Sequence, residues 1–482
     1  MVSSLGGGMG AAPLVIDLDG TLLNSDLLLE SGLAFIKLRP LQALAPLRWL
    51  VTGKANLKSR LAQLAPLDVS VLPYNPAVIE LAQQARASGR SVVLATASHQ
   101  SYAEQIAEHL GLFDRVLASD GVCNLSAHRK RDLLVDEYGE QGFDYVGNSR
   151  DDLPVWQSAR RAYVVNAPER IKNLASRHGN VERVFADPFP WLGSWLKALR
   201  LHQWMKNALL FVPLLAGHRL LEPGLLLTGL IAFVCFGLCA SSVYVLNDLL
   251  DLEDDRHHRS KRFRPFASGQ ISIRAGLLAF PALLLCGLAV AFWLLPAAFL
   301  LTLLIYYLVT LSYSFALKRY MAVDVIALAA LYTMRIIAGA FAFESVLTFW
   351  MLAFSMFIFL SLALVKRYAE LKEARDKGRA QKARGRGYYP GDLEMLSSLG
   401  AASGYLSVMV LALYIQDQAT TAMYKHPQVI WLACPLLLFW ITRVWMLTHR
   451  GHMHDDPVVF AIKDRVSLCV GALFASVFWL AA

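Results

Sequence analysis

A chain of 482 residues is too long for one ordinary soluble domain, and 56% hydrophobic against 17% charged residues points to a membrane-embedded part. The formal net charge of +9 calls for no nucleic-acid partner, because much of it lies in loops between apolar runs, where Lys and Arg mark the cytoplasmic side. The six cysteines form no CxxC pair and fall mostly inside apolar runs, so neither a disulfide framework nor a zinc site is indicated.

Residues 1–12 are Gly-rich and read as a flexible tail. They lack the basic segment and apolar core of a signal peptide, which leaves the domain that follows in the cytosol. Pro13 to Asp17 is a short apolar run, as expected of a buried parallel strand. It ends in Asp17-Leu18-Asp19-Gly20-Thr21: two carboxylates one residue apart, before a glycine that permits a tight turn. The first can attack phosphorus and the second can shuttle a proton. Further strands are predicted at Ser91–Thr96, Arg115–Ser119, Asp144–Gly147 and Arg161–Val165, with helices such as Tyr102–Leu110 and Asp132–Tyr138 between them. This alternation predicts a doubly wound α/β sheet with its site at the strand C-termini. Thr96 ends one strand, Lys130 opens a helix and can neutralise a phosphoryl group, and Gly147-Asn148-Ser149-Arg150-Asp151-Asp152 closes another strand. Residues 27–75 are helical in pattern and mix apolar residues with Lys37, Arg39, Arg48, Lys54, Lys58 and Arg60. They read as a cap over the nucleophile, and two roles stay open: packing on its own domain, or resting a basic face beside Trp49 on an anionic membrane.

After a junction rich in Trp and Pro, Arg200-Leu201-His202-Gln203-Trp204-Met205-Lys206-Asn207 leads into the apolar part. Hydropathy predicts about nine spans in an all-α bundle, near 207–218, 224–246, 273–293, 296–313, 321–342, 346–365, 395–414, 427–447 and 463–481. Asn247 to Gly269 follows the second span, with carboxylates at Asp248, Asp251 and Asp255. Spacings of three and four place these on one helix face, where they repel one another unless a cation joins them. A hard divalent cation such as Mg²⁺ takes carboxylate oxygens and leaves positions for phosphate oxygens. Lys261, Arg262 and Arg264 suit those phosphates. Lys206, Asn207, Tyr313, Lys318, Asp324, Lys366, Arg367, Asp455 and Asp456 fall on the same side, which the positive-inside rule puts in the cytosol. The run from Lys372 to Arg386 reads as a solvated or headgroup-facing loop, and His257, His258, His452 and His454 as solvated loop residues.

Over residues 13–190 the aspartate pair, Thr96, Lys130 and the 147–152 segment resemble the haloacid dehalogenase superfamily of phosphatases. The resemblance implies Asp17 as nucleophile, Asp19 as general acid/base, Thr96 and Lys130 as phosphoryl holders, and a Mg²⁺ site at Asp17, Asp19, Asn148 and Asp152. Asn148 stands where that family usually has aspartate. Over most of residues 195–482, Asn247, Asp248, Asp251 and Asp255 with about nine spans resemble the UbiA superfamily of intramembrane transferases. Three stretches, R-L-H-Q-W-M-K-N, D-R-H-H-R-S-K-R-F-R-P-F-A-S-G and Y-S-F-A-L-K-R, look closest to its decaprenyl-phosphate phosphoribosyltransferase branch. A second D-x-x-x-D of the aromatic prenyltransferases is missing, since Asp324 is followed by Leu328; Arg259 stands where the phosphoribosyltransferase branch often has proline.

The resemblance implies a bifunctional, multi-pass enzyme of the cell (inner) membrane, with both sites cytoplasmic and Mg²⁺ at Asp248, Asp251 and Asp255. Phosphoribosyl diphosphate and polyprenyl phosphate would be its substrates, membrane lipids its surroundings, and a homo-oligomer stays open. Gln203, Lys206, Asn207, Asn247, Lys261, Arg262, Arg264, Tyr313, Lys318, Lys366 and Arg367 would bind substrate. The N-terminal domain, residues 13–190, would then dephosphorylate the product of the transferase domain, residues 191–482. The alternatives are an aromatic prenyltransferase using a polyprenyl diphosphate, fused to an unrelated phosphatase, and a transporter. Transporters usually place ionisable residues near the bilayer midplane, whereas here they cluster at span ends.

Overall fold

The computed structural model describes residues 12–120, 124–185, 190–217, 219, 222–376, 386–417, 424–453 and 456–481. Most of the tail, Cys123, His454, Asp455 and most of the 372–386 run lie outside these described residues. The chain divides into two compact units, Met1–Leu199 with Tyr244–Phe280, and Arg200–Val243 with Pro281–Ala482. The segment carrying Asp248, Asp251 and Asp255 thus belongs to the unit that holds the α/β domain.

In the first unit, strands β1 (Leu14–Ile16), β2 (Val92–His99), β3 (Arg115–Ser119), β4 (Asp144–Gly147), β5 (Arg161–Val165) and β6 (Val181–Phe185) form one sheet in the order β3-β2-β1-β4-β5-β6. Every pairing is parallel, with Leu14 opposite Val92 on one side and Asp144 on the other. Alternate residues serve opposite faces. Leu14, Ile16, Leu94 and Val146 join one core, while Val15, Val93, Tyr145 and Val164 join the other with Trp156. Helices on both faces make β1 apolar throughout, and its position in the middle of the sheet sets Asp17 at the C-terminal edge. β6 escaped the sequence reading because its pattern, Val-Glu-Arg-Val-Phe, belongs to an edge strand whose middle three residues are exposed.

Between β1 and β2 stand α1 (Leu27–Leu38), α2 (Ala45–Val51), α3 (Lys54–Leu64) and α4 (Pro76–Ala87). Asp26 caps α1 by accepting from the Leu29 N–H at 3.2 Å, and Asn75 caps α4 just before Pro76. Phe35, Leu57, Leu61 and Ala65 give the first three helices a small core of their own. The sheet is completed by α5 (Gln100–Leu110), α6 (His128–Tyr138), α7 (Leu153–Ser158) and α8 (Glu169–Ser176), and α9 (Trp191–Ala198) follows it.

The second unit begins with a 3₁₀ helix, Leu201–Phe211, and α10 (Val212–Ala216). Seven helices among the described residues are long and apolar enough to cross a membrane: α11 (Pro223–Leu250), α13 (Ile273–Leu294), α14 (Ala297–Phe315), α15 (Val323–Ala342), α16 (Phe349–Asp376), α17 (Leu393–Gln416, entered through a 3₁₀ turn) and α18 (Ala433–His449, likewise). α12 (Leu252–His257) lies in the first unit; α19 (Pro457–Lys463) and α20 (Arg465–Ala481) close the chain. Hydropathy predicted two more spans. The one at 207–218 is instead 3₁₀ structure followed by the five residues of α10, with Pro213 near its start. The last is the 17-residue α20, a shorter apolar helix.

Candidate active sites

Asp17 continues β1, and its N–H donates to the Val146 carbonyl at 3.0 Å. Gly20 then turns the chain at φ +77°, and a Cβ there would lie 2.0 Å from Asn148 Nδ2. Only glycine both adopts that backbone and leaves Asn148 its place. Lys130, at the start of α6, donates to Asp17 Oδ1 at 2.6 Å and to the Tyr145 hydroxyl at 2.9 Å. Tyr145 in turn donates to Asp152 Oδ1 at 2.7 Å, and Lys130 stands 3.9 Å from the same oxygen. The N–H groups of Asn148 and Ser149 and the Ser149 hydroxyl hold Asp152 Oδ2 at 2.9–3.0 Å. Asp17, Lys130, Tyr145 and Asp152 are buried. Burial pushes the Asp17 carboxyl up to about 7, with Lys130 opposing the shift and Asp152 adding to it.

Asp19 faces the cap. Its Oδ1 accepts from the Leu27 N–H at 2.8 Å and its Oδ2 from the Ser98 hydroxyl. Burial, helped by the like charge of Asp26, raises it to about 6, which suits a group that gives and takes a proton near neutrality. Thr96 is fully buried behind this surface, and its Oγ1 accepts from the Ser98 N–H at 2.9 Å. Ser98, not Thr96, lines the cavity, which encloses about 1130 Å³. Lys58 of α3, Asn148 and Arg183 also line it. Sequence reasoning missed Tyr145 and Ser98. Each stands one or two positions from a residue it did single out, and in β4 a lone tyrosine gives no period to read.

Gly269, Gln270, Ser272, Ile273 and Arg274 line the same cavity, although they follow the Asp-rich stretch. They are held close by backbone packing: Gly269 has φ +75°, and a Cβ there would come within 2.4 Å of the Asn24 carbonyl oxygen. Arg274 reaches Asp26 at 2.6 Å. Arg256 makes two parallel bonds of 2.7 Å to Glu30 on α1, with both side chains almost wholly buried. Removing one partner strands a buried charge, at a cost of about 3–5 kcal/mol. Glu30→Ala or Arg256→Ala should therefore lower the unfolding midpoint of the purified protein, while Glu30→Leu with Arg256→Leu together should cost less than either alone. Equal midpoints for wild type and single variants would show the pair to be idle.

The three carboxylates do not share one helix face. α11 ends at Leu250, Asp251 is non-helical at φ −103° and ψ 18°, and α12 starts afresh. Arg264 joins Asp248 (3.1 Å) to Asp255 (2.6 Å), and Lys37 of α1 joins Asp251 (2.8 Å) to Asp254 (2.7 Å). Among the described residues no three His, Cys, Asp or Glu side chains form a ready metal cage. Yet one cation reaches both Asp248 and Asp255, and the donors are all carboxylate oxygens, so the pair fits a hard divalent ion once Arg264 swings aside. In the α/β domain Asp17, Asp19, Asp152 and the Asn148 amide are the oxygen donors, with Asp152 held at both oxygens by Tyr145, Asn148 and Ser149, Asp17 by Lys130, and Asp19 by Ser98 and Leu27. Lys261 and Arg262 are exposed, and Arg262 lies over the Phe263 ring at 4.8 Å. Asn247 keeps its carbonyl on the Asp251 N–H at 2.9 Å.

The second unit holds two ionic clusters of its own. In one, Asp456 takes Lys206 at 2.7 Å, Lys366 at 3.1 Å and the Tyr332 hydroxyl at 3.0 Å. Burial alone would raise Asp456, but Lys366 and Lys206 hold it well below the usual carboxylate range. Burial lowers Lys206 to about 8. Beside Lys206, Asn207 Oδ1 accepts from Arg335, which also donates to the Tyr306 hydroxyl at 2.8 Å. In the other cluster, buried Asp324 accepts from Tyr313 at 2.8 Å and pairs with Arg367 and Arg386. Gln203 and Lys318 are half-buried. Arg335 and Tyr332 were missed because each sits inside an apolar run where one polar side chain changes little in the hydropathy.

The profile of the UbiA prenyltransferase family matches residues 208–463, just over half of the chain. The chain belongs to the UbiA prenyltransferase family. Ahead of its UbiA domain, residues 14–157 match the haloacid dehalogenase-like hydrolases. An uncharacterised protein of Sinorhizobium fredii, y4nM, is 38% identical to this UbiA protein over 97% of the chain and 91% of that relative. A decaprenyl-phosphate phosphoribosyltransferase of Mycolicibacterium smegmatis is 33% identical over 56% of this chain and 86% of its own. Among solved structures, a UbiA homologue from Archaeoglobus fulgidus bound to GPP and Mg²⁺ covers 60% of this chain and 99% of its own, at 18% identity and a TM-score of 0.44. The UbiA protein described here is thus a multi-pass membrane protein: a prenyltransferase-type enzyme that carries a haloacid dehalogenase-like phosphatase domain.

Proposed function

We propose that the UbiA domain transfers 5-phosphoribose from phosphoribosyl diphosphate to a polyprenyl phosphate, and that the N-terminal domain then removes the 5-phosphate. The name of the mycobacterial relative supports the first half. The observation that carries the pairing is that Gly269, Gln270, Ser272, Ile273 and Arg274 line the phosphatase-type cavity while Asp248, Asp251 and Asp255 sit in the same compact unit. Both sites would face the cytosol, as the basic loops suggest.

In this reading Mg²⁺ at the carboxylates supplies positive charge for a departing diphosphate. Asp248 and Asp255 would hold it, and Arg264, released from them, would bind a phosphate oxygen. A lipid phosphate oxygen forms the new bond to the anomeric carbon as the bond to diphosphate breaks. Lys206 and Lys366 offer their charges to phosphate groups, and the apolar spans hold the lipid tail. In the N-terminal domain Asp17 would attack the 5-phosphate, with Lys130 neutralising the phosphoryl oxygens, while Asp19 gives a proton to the departing ribose oxygen. Asp19 would then take a proton from the water that hydrolyses the phosphoaspartate, releasing phosphate and restoring Asp17.

Donor choice is tested with purified protein, labelled phosphoribosyl diphosphate and polyprenyl phosphate. Labelled lipid should form, and polyprenyl diphosphate with an aromatic acid should give no product. Asp324 favours that outcome, since Tyr313, Arg367 and Arg386 already engage it where the aromatic branch would use a second metal motif. A prenylated aromatic would overturn the reading.

A further inference from the structure

We propose that the outer face of the cap is a docking surface for an anionic lipid bilayer. From residue 31 to residue 67 the chain has six basic residues and no acidic one; Lys37 pairs with Asp251 and Asp254, and Lys54 and Lys58 line the cavity, which leaves Arg39, Arg48 and Arg60 for the outer face. Within that stretch Leu38, Leu41, Leu44, Leu47, Leu50 and Val51 are all exposed, Leu41 completely and Val51 at 87%. A soluble surface spaces its apolar side chains singly; six within 14 positions form a patch that asks for a partner.

The helix is not merely loose. Trp49 turns inward and meets the Phe35 ring edge-on at 5.1 Å, with Arg60 over its outer face at 5.6 Å. Ala45 and Trp49 pack on Phe35, Leu57, Leu61 and Ala65. That contact fixes the orientation of α2, so Leu44, Leu47, Leu50 and Val51 are presented outward by a helix that is anchored on its other side. Exposed Arg39 and Arg48 flank the leucines. An apolar strip bordered by cations and free of carboxylates matches the boundary between acyl chains and anionic headgroups. A soluble protein partner with an acidic rim would match the charge equally well. The bilayer is preferred because this chain is itself a membrane protein, which holds its cap within reach of lipid at all times.

The test uses the full chain in vesicles, with Cys286 and Cys469 replaced by alanine and a polarity-sensitive fluorophore attached through Leu44→Cys or Leu47→Cys. Gln84→Cys, on α4, serves as an exposed reference. In phosphatidylcholine with about one third phosphatidylglycerol, lipid-borne nitroxide should quench the label at 44 or 47 at least about threefold more than the reference, and iodide should not reach it. In pure phosphatidylcholine, or with Arg39→Gln and Arg48→Gln combined, that excess should vanish. Quenching by iodide in anionic vesicles overturns the proposal. So does shielding from both quenchers, which would mean a protein occupant such as a second copy, and so does lipid quenching that ignores lipid charge.

Discussion

Asp17→Asn should abolish removal of the 5-phosphate, by roughly 10³-fold or more, because the attacking oxygen is gone. Consumption of phosphoribosyl diphosphate should continue. The variant should therefore accumulate a lipid that keeps one extra phosphate, separable from the wild-type product by mass and charge. The amide is nearly isosteric, but it leaves Lys130 with Asp152 and Tyr145 as its partners. An unfolding curve alongside the assay shows whether that matters. Asp19→Asn should lose roughly 10²–10⁴-fold, since it removes proton transfer and spares the nucleophile. Asn148→Asp is the informative companion: if the amide merely replaces a metal ligand, activity should persist or rise. Identical lipids from wild type and Asp17→Asn would sink the assignment of the domain to this product, leaving a shared fold alone.

Asp248→Asn should suppress lipid labelling by roughly 10²-fold or more, if the carboxylate holds Mg²⁺ on the departing diphosphate. Arg264 keeps Asp255 as a partner in that variant, at 2.6 Å in the wild type, so the local fold should survive. Asp255→Asn should behave alike. Asp251 makes a sharper comparison because its partner here is Lys37, from a different stretch of the chain. Phosphatase-type activity on a small phosphate ester should stay intact in all three, which separates loss of transfer from loss of folding. Transfer at near-normal rate by both Asp248→Asn and Asp255→Asn would remove the metal assignment.

Much of this architecture was legible in the residues. The run Leu14–Ile16 before Asp17 marked the central strand, because burial on both faces leaves no polar position in it. The seven spans were visible because about 20 consecutive apolar residues have few other uses. What stayed hidden depends on contacts between distant parts of the sequence. Nothing in the spacing of Asp248, Asp251 and Asp255 tells that the helix breaks at Asp251 or that Lys37, more than two hundred positions earlier, takes that carboxylate. Asp456 carried a signal, a carboxylate before the last apolar run, but its partners Lys206, Lys366 and Tyr332 come from three other elements. Thr96 shows the limit at atomic scale: the strand does not end there but runs on to His99, and the hydroxyl facing the cavity is that of Ser98.

The bidentate grip of Arg256 on Glu30 and the close seat of Gly269 against Asn24 bear on how such a protein can be inherited. A recombination event that joins two genes usually leaves each product able to fold without the other. Here the two family regions meet between residues 157 and 208, while part of the cavity wall comes from Gly269, Gln270, Ser272, Ile273 and Arg274. A phosphatase gene cut loose there would encode a domain in which Glu30 has lost its Arg256 partner and the cavity one part of its wall. Exchange of the N-terminal half with that of a relative should keep these contacts only where residues 256 and 269–274 travel with it, so the structural unit is discontinuous in the gene.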